Sequence, residues 1–147
     1  MSATSAPTVL LADRHHGLCE GIRGLLETTF TRVFLVTDKA SLMEGAIRLQ
    51  PTLIILDLYY SEGRLPSLIG ELRRHAPTTK LLLLSVHDEP AIIESARAAG
   101  VDGLIVKRAI ANDLMTAIDE ILLGRSFFPA QAPQETQRVS HWRNAPP

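Results

Sequence analysis

Residues 51–58, PTLIILDL, decide how the chain folds. The run Leu53 to Leu56 is apolar without alternation, so a strand formed there has both faces covered, as parallel strands in α/β proteins do. Four more short runs share this character: Val9 to Ala12, Val33 to Val36, Leu81 to Leu84, and Leu104 to Val106. Each needs helices above and below it.

The intervening segments supply them. Leu18, Ile22, Leu25 and Leu26 fall at i, i+4, i+7 and i+8, as do Leu114, Ile118, Ile121 and Leu122, and Leu42, Ala46 and Leu49 repeat the pattern. Pro66 opens a fourth helix over Ser67 to His75. Asp88, Glu89 and Pro90 open a fifth over Ala91 to Ala99, which Gly100 closes. The order is (βα) five times. Right-handed crossovers then place helices on both faces of one open parallel sheet, an α/β three-layer sandwich.

At 147 residues, 46% hydrophobic and 21% charged, the chain has enough apolar material for one domain with a real core, which excludes a disordered protein. Fifteen basic against sixteen acidic residues leave a formal charge of -1, so no overall basic field draws it directly to nucleic acid or to an anionic membrane. A lone cysteine, Cys19, forms neither an intrachain disulfide nor a cysteine-based zinc site, and is expected as a small buried group. No apolar run reaches the roughly 20 residues of a membrane span, and the start MSATSAPT lacks signal-peptide features, so a cytoplasmic location is expected. Residues 1–7 are expected to be a flexible N-terminus, 8–127 the domain, and 128–147 a Pro-rich flexible tail in which Val139 and Trp142 are the residues suited to docking.

Ligands of open parallel sheets bind beyond the carboxyl ends of the strands. Asp13 ends the first run, Asp57 the third, Ser85 the fourth and Lys107 the fifth, so one edge receives two carboxylates, a hydroxyl and an amine. Taken alone, an Asp after a strand is usually a turn former and a Lys a solvated charge. Together they suit phosphoryl transfer. A carboxylate can attack phosphorus to give an acyl phosphate, an amine neutralises the transferring oxygens, a hydroxyl donates to one of them, and a further carboxylate helps to hold a hard cation such as Mg2+. His15 and His16 are adjacent, about 100° apart on a helix, and make a poor metal pair. His87, two residues after Ser85, borders the same edge.

These residues resemble the receiver domain of bacterial two-component response regulators, within the NarL/FixJ-like group. The similarity covers roughly residues 8–128, through VLLADRHHGLCEGIRGLL, PTLIILDL, LLLLSVHDEP, ARAAGVDGLIVKRA and AIDEILLGRSFFP. It implies a flavodoxin-like (βα)5 fold with sheet order 2-1-3-4-5. It implies that Asp57 is the phosphoacceptor for a sensor histidine kinase or phosphotransfer protein. It also implies that Lys107 and Ser85 contact the phosphoryl group, and that Asp13, Asp57 and the backbone carbonyl of Tyr59 bind Mg2+.

Three departures bear on that implication. Family members usually carry two adjacent acids after the first strand, whereas this chain has Asp13 and Arg14; Asp13, Arg14 and Asp57 sum to -1 instead of -3, which weakens Mg2+ binding. Arg14 either pairs with Asp57 in place of the cation or turns out to solvent. Leu104 stands where the family has an aromatic switch residue, and is expected in the core or an interface. The loop LYYSEGRLP after Asp57 lacks the usual Met-Pro, and its Tyr59 and Tyr60 either shield the site or meet a partner.

The function expected from these residues is a stand-alone receiver in a phosphorelay, signalling through protein contacts, with a homodimer through the fourth and fifth helices compatible with it. Residues 128–147 are too few for the DNA-binding helix-turn-helix that NarL-like regulators normally add. The alternative is a degenerate receiver that acts as a phosphorylation-independent interaction or dimerisation module. An aspartyl-phosphate enzyme is disfavoured, because Tyr59 stands where haloacid-dehalogenase-like enzymes need a second acid.

Overall fold

The computed structural model describes residues 7–130; the expectations for residues 1–6 and for 131–147, including Val139 and Trp142, lie outside the described residues. Five strands, β1 (Thr8–Ala12), β2 (Arg32–Val36), β3 (Leu53–Asp57), β4 (Lys80–Ser85) and β5 (Gly103–Val106), alternate with five helices, α1 (His16–Leu26), α2 (Lys39–Leu49), α3 (Leu65–His75), α4 (Pro90–Ala99) and α5 (Ile110–Leu122). All strand pairs are parallel and the sheet order is β2-β1-β3-β4-β5. The apolar runs are therefore the strands, and the implied order holds.

Unbroken apolar runs are needed because alternate residues serve two different cores. Leu10, Ala12, Ile54, Leu56, Leu81, Leu83 and Leu104 pack against α2, α3 and α4. Val9, Leu11, Leu53, Ile55, Leu82, Leu84 and Ile105 pack against α1 and α5. Leu104 is fully buried core. β2 is the exception: Arg32 is exposed and Val33 to Val36 are only half-buried, at an edge with a strand on one side only, whereas the β5 edge is paired by Phe127 and stays buried.

Local signals set the helix ends. The Asp38 side chain accepts the Ser41 N–H at 2.7 Å and caps α2, while Gly100 takes φ 92° at the end of α4, a left-handed conformation that glycine adopts without strain. After α5 the chain returns to the free edge of β5. There Phe127 O accepts the Leu104 N–H at 2.9 Å and the Phe127 N–H donates to Asp102 O at 3.1 Å. Gly103 permits that approach, since a Cβ there would lie 2.7 Å from Phe127 O. Phe128 packs on the α4 side beneath the Arg97 guanidinium.

Among the described residues no helix is long and apolar enough to cross a membrane.

Candidate functional site

The order β2-β1-β3-β4-β5 reverses direction between β1 and β3, and Asp13 and Asp57 stand at the carboxyl ends of those two strands. Crevices form where successive crossovers leave a sheet in opposite directions. Here a cavity of about 870 Å3 opens, lined among others by Arg14, His15, Asp57, Tyr59, Ser85 and His87. Asp57, on its floor, is 6% exposed, and Asp13 beside it is 0% exposed.

Lys107, in the short 3-10 turn directly after β5, reaches across this floor. Its Nζ lies 2.8 Å from Asp13 Oδ2 and 2.8 Å from Asp57 Oδ2. Burial pushes the Asp13 carboxyl up, but the Lys107 ammonium and the hydrogen bonds from His15 together outweigh it and hold the group below the usual carboxylate range. Burial likewise pushes the Lys107 amine down, and the two carboxylates more than offset this, so it stays charged. Asp57 Oδ1 accepts the Tyr59 N–H at 3.0 Å, an Asx-type contact that starts the 3-10 turn Leu58–Ser61.

Ser85 is buried and ends β4 beside Val106, one residue before Lys107. Its hydroxyl donates to the His87 carbonyl and accepts the His87 N–H, both at 2.9 Å, so it is held within its own turn. His87 thus shapes the pocket wall through its backbone.

Of its two expected courses Arg14 takes the outward one, turning to the exposed side of the pocket rather than to Asp57. Its guanidinium lies 3.6 Å from the centroid of the Tyr59 ring, and among the described residues it forms no ion pair with Asp57. A planar cation on an aromatic face gains attraction without surrendering its water on the other side. The two tyrosines separate in role. Tyr59 is 52% exposed and carries Arg14, whereas Tyr60 is buried with its hydroxyl donating to Thr37 O at 2.7 Å. Burial and the nearby Asp13 and Asp57 charges push the Tyr60 phenol up to about 12. Cys19 is buried, as expected, with its thiol 3.6 Å from Asp13 O.

His15 was not singled out by the sequence. The helical-pair argument treats it as a partner of His16, but it is the N-cap residue of α1, with extended backbone at φ -93° and ψ 104°. From there it folds back on Asp13: its N–H donates to Asp13 Oδ1 at 2.9 Å and its ring Nδ1 lies 2.8 Å from the same oxygen. The signal was its spacing, two residues after an Asp at a strand end, where Asx turns return the chain to the carboxylate.

The arrangement has the parts for phosphoryl chemistry: a carboxylate lining the cavity, a neutralising ammonium beside it and a hydroxyl on the cavity wall. The model of the response regulator receiver domain matches residues 9–119. The chain belongs to the response regulator receiver family. Receivers are signalling domains of two-component systems rather than turnover enzymes, they interact with histidine kinases or phosphodonors, and they generally bind Mg2+ at their acidic pocket.

This receiver is 26% identical over 139 residues to the transcriptional regulatory protein RcsB of Escherichia coli K12, covering 90% of the chain and 63% of RcsB. It is 30% identical over 126 residues to the fimbriae Z protein of Salmonella typhimurium, covering 84% of the chain and 60% of that protein. The chain thus spans a little under two thirds of the length of these LuxR-like relatives. The non-phosphorylated receiver domain of RcsB from Escherichia coli superimposes with a TM-score of 0.72 at 27% identity, over 86% of this chain and all of that one.

The pocket passes a partial test as a cation site for this receiver. Asp13 Oδ2 is buried and accepts no directed hydrogen bond, which leaves a lone pair for a cation. The Asp13 and Asp57 carboxylates would hold Mg2+. The Tyr59 carbonyl accepts the Glu62 N–H at 3.2 Å and retains a second lone pair.

Proposed function

We propose that this chain is a receiver of a phosphorelay in which Asp57 accepts a phosphoryl group from a sensor histidine kinase or phosphotransfer protein. The observation that carries this is the Lys107 ammonium held 2.8 Å from both carboxylates at the sheet's switch point. A carboxylate oxygen of Asp57 forms the new O–P bond as the P–N bond of the donor's phosphohistidine breaks, and the imidazole leaves with the bonding pair. Lys107 neutralises the phosphoryl oxygens through the transfer. Ser85 turns its hydroxyl from the His87 carbonyl to a phosphoryl oxygen. When bound by Asp13, Asp57 and the Tyr59 carbonyl, Mg2+ would supply further charge neutralisation; the +1 of Arg14 lowers affinity for it.

Trading the Ser85–His87 contacts for a phosphoryl contact rearranges the turn leading into α4, so the state is passed on through protein contacts. Exposed Leu122 and Leu123 at the end of α5 favour self-association through α4 and α5. The receiver is assigned to residues 8–127, and the address is cytoplasmic. Incubation with acetyl phosphate and a divalent cation is expected to add one acid-labile phosphoryl group, lost in Asp57→Asn. No uptake across a wide range of metals would sink this function and leave the constitutive interaction module in its place.

A further inference from the structure

Three donor atoms converge at the pocket floor. One carboxylate oxygen each from Asp13 and Asp57 and a ring nitrogen of His15 all lie within 4.8 Å of one another. Asp13 Oδ1 and His15 Nδ1 are 2.8 Å apart, close to the roughly 3.0 Å edge of an octahedron whose metal bonds are about 2.1 Å. A positive charge already occupies the point of convergence: Lys107 Nζ is 2.8 Å from Asp13 Oδ2, 2.8 Å from Asp57 Oδ2 and 3.4 Å from His15 Nδ1. It neutralises Asp13 Oδ2 without giving that buried oxygen a directed hydrogen bond. Arg14, the other cation of the loop, is drawn away onto Tyr59. The third donor beside the two carboxylates is therefore an imidazole nitrogen rather than an oxygen.

That exchange changes which ion the pocket favours. Mg2+ is hard and takes oxygen ligands, whereas imidazole suits borderline ions such as Co2+ and Zn2+. We infer that His15 is a direct ligand of the pocket's cation and that the Asp13–His15–Asp57 set selects a borderline divalent ion over Mg2+. The inference rests on the reading of this pocket as the phosphoryl-transfer site. With Nδ1 on the metal, the ring carries its proton on Nε2. His15 is exposed and its side chain makes no cap contact to α1, so it can be replaced without opening the core.

The test is titration of the whole chain with Mg2+ alone and with Co2+ alone, without phosphodonor, by calorimetry and by the visible absorption of Co2+. Because most sites prefer Co2+ to some degree, the change in the Co2+ to Mg2+ affinity ratio is the informative quantity. His15→Gln should weaken Co2+ about tenfold and shift its absorption while leaving Mg2+ within about threefold; His15→Asp should lower the ratio by about tenfold or more. His16→Gln, one residue along, should change neither. A ratio unmoved by His15→Asp, or a Co2+ spectrum unmoved by His15→Gln, overturns the inference, with circular dichroism confirming that each variant is folded. His15-dependent Co2+ binding without phosphoryl uptake would sink the proposed function alone. Uptake with a His15-independent metal preference would sink this inference alone.

Discussion

At the amino end of the sheet Arg73 and Asp102 meet at 3.0 Å in a set of satisfied contacts. Arg73 also donates to Thr79 O at 2.7 Å and Gly100 O at 2.8 Å, and Asp102 Oδ2 accepts the Leu81 N–H at 2.8 Å. At the carboxyl end one ammonium is shared between two carboxylates, a buried oxygen accepts no directed hydrogen bond, and an open cavity lies above. Both ends hold partly or fully buried opposite charges, so burial and pairing alone do not mark a functional site. The distinction is completeness. A network with each group answered ties together the starts of β4 and β5; one left short of partners still has bonding capacity for a ligand.

The largest expected effect of this contrast is kinetic. Lys107→Met should slow phosphoryl uptake from acetyl phosphate by about 100-fold or more, the scale of losing one positioned charge in a transition state. Arg73→Met should leave uptake within about twofold. Equal slowing by the two variants, measured on folded protein, would break the contrast.

Stability should show the reverse preference. Arg73→Met strands Asp102 and two backbone carbonyls at partly exposed positions, where screening limits the loss to about 2 kcal/mol. The readout is the urea midpoint at unchanged slope. A loss below about 0.5 kcal/mol would mean that the amino-end network is decoration rather than support.

Tyr60 sharpens the comparison, because it is the pocket-end polar group whose needs are met. Its folded-state pKa of about 12 lies above the ordinary phenol value of 10.0, so the folded state holds the phenol proton more tightly. The associated stability is complete below pH 10 and disappears as pH rises toward 12, by roughly 1–3 kcal/mol. Tyr60→Phe should cost about 1 kcal/mol at neutral pH through the lost hydrogen bond to Thr37, and should flatten the alkaline decline. Urea unfolding at pH 8, 10 and 11.5 checks both; parallel pH profiles for the two proteins would refute the assignment.

How far these features could be read in advance depends on where their physics resides. Covered parallel strands appear in the sequence as unbroken apolar runs, and the polar residue ending each run names its own place, so the sheet and the positions of Asp13, Asp57, Ser85 and Lys107 were legible. β2 was not distinguishable as an edge, since Val33 to Val36 has the same composition as a central run and differs only in having one neighbour. The pairing of Phe127 with β5 depends on a close approach at Gly103, which has no periodic signature. Tyr60 and His15 were hidden by short turns. A 3-10 turn after Asp57 sends one tyrosine inward, and an extended N-cap returns one histidine to Asp13, whereas helical spacing separates the members of each pair without saying which faces the pocket.

The smallest expected effect contrasts two arginines. Arg73 is anchored by carbonyls and a carboxylate, and Arg14 lies exposed on an exposed ring. A cation on an aromatic face at such a site contributes about 0.5–1 kcal/mol, so Arg14→Ala should change stability by less than about 1 kcal/mol, well below Arg73→Met. Its influence on the pocket is long-range charge. Removing one screened positive charge from the rim should raise Mg2+ affinity roughly twofold to fivefold, and Arg14→Asp should raise it further by adding a carboxylate. Both gains should shrink in high salt, because the pocket wall is open to solvent on the Arg14 side. An Mg2+ affinity indifferent to Arg14→Asp at low salt would show that Lys107, between the two carboxylates, sets the charge seen by the cation, and that the missing second acid is not what distinguishes this pocket.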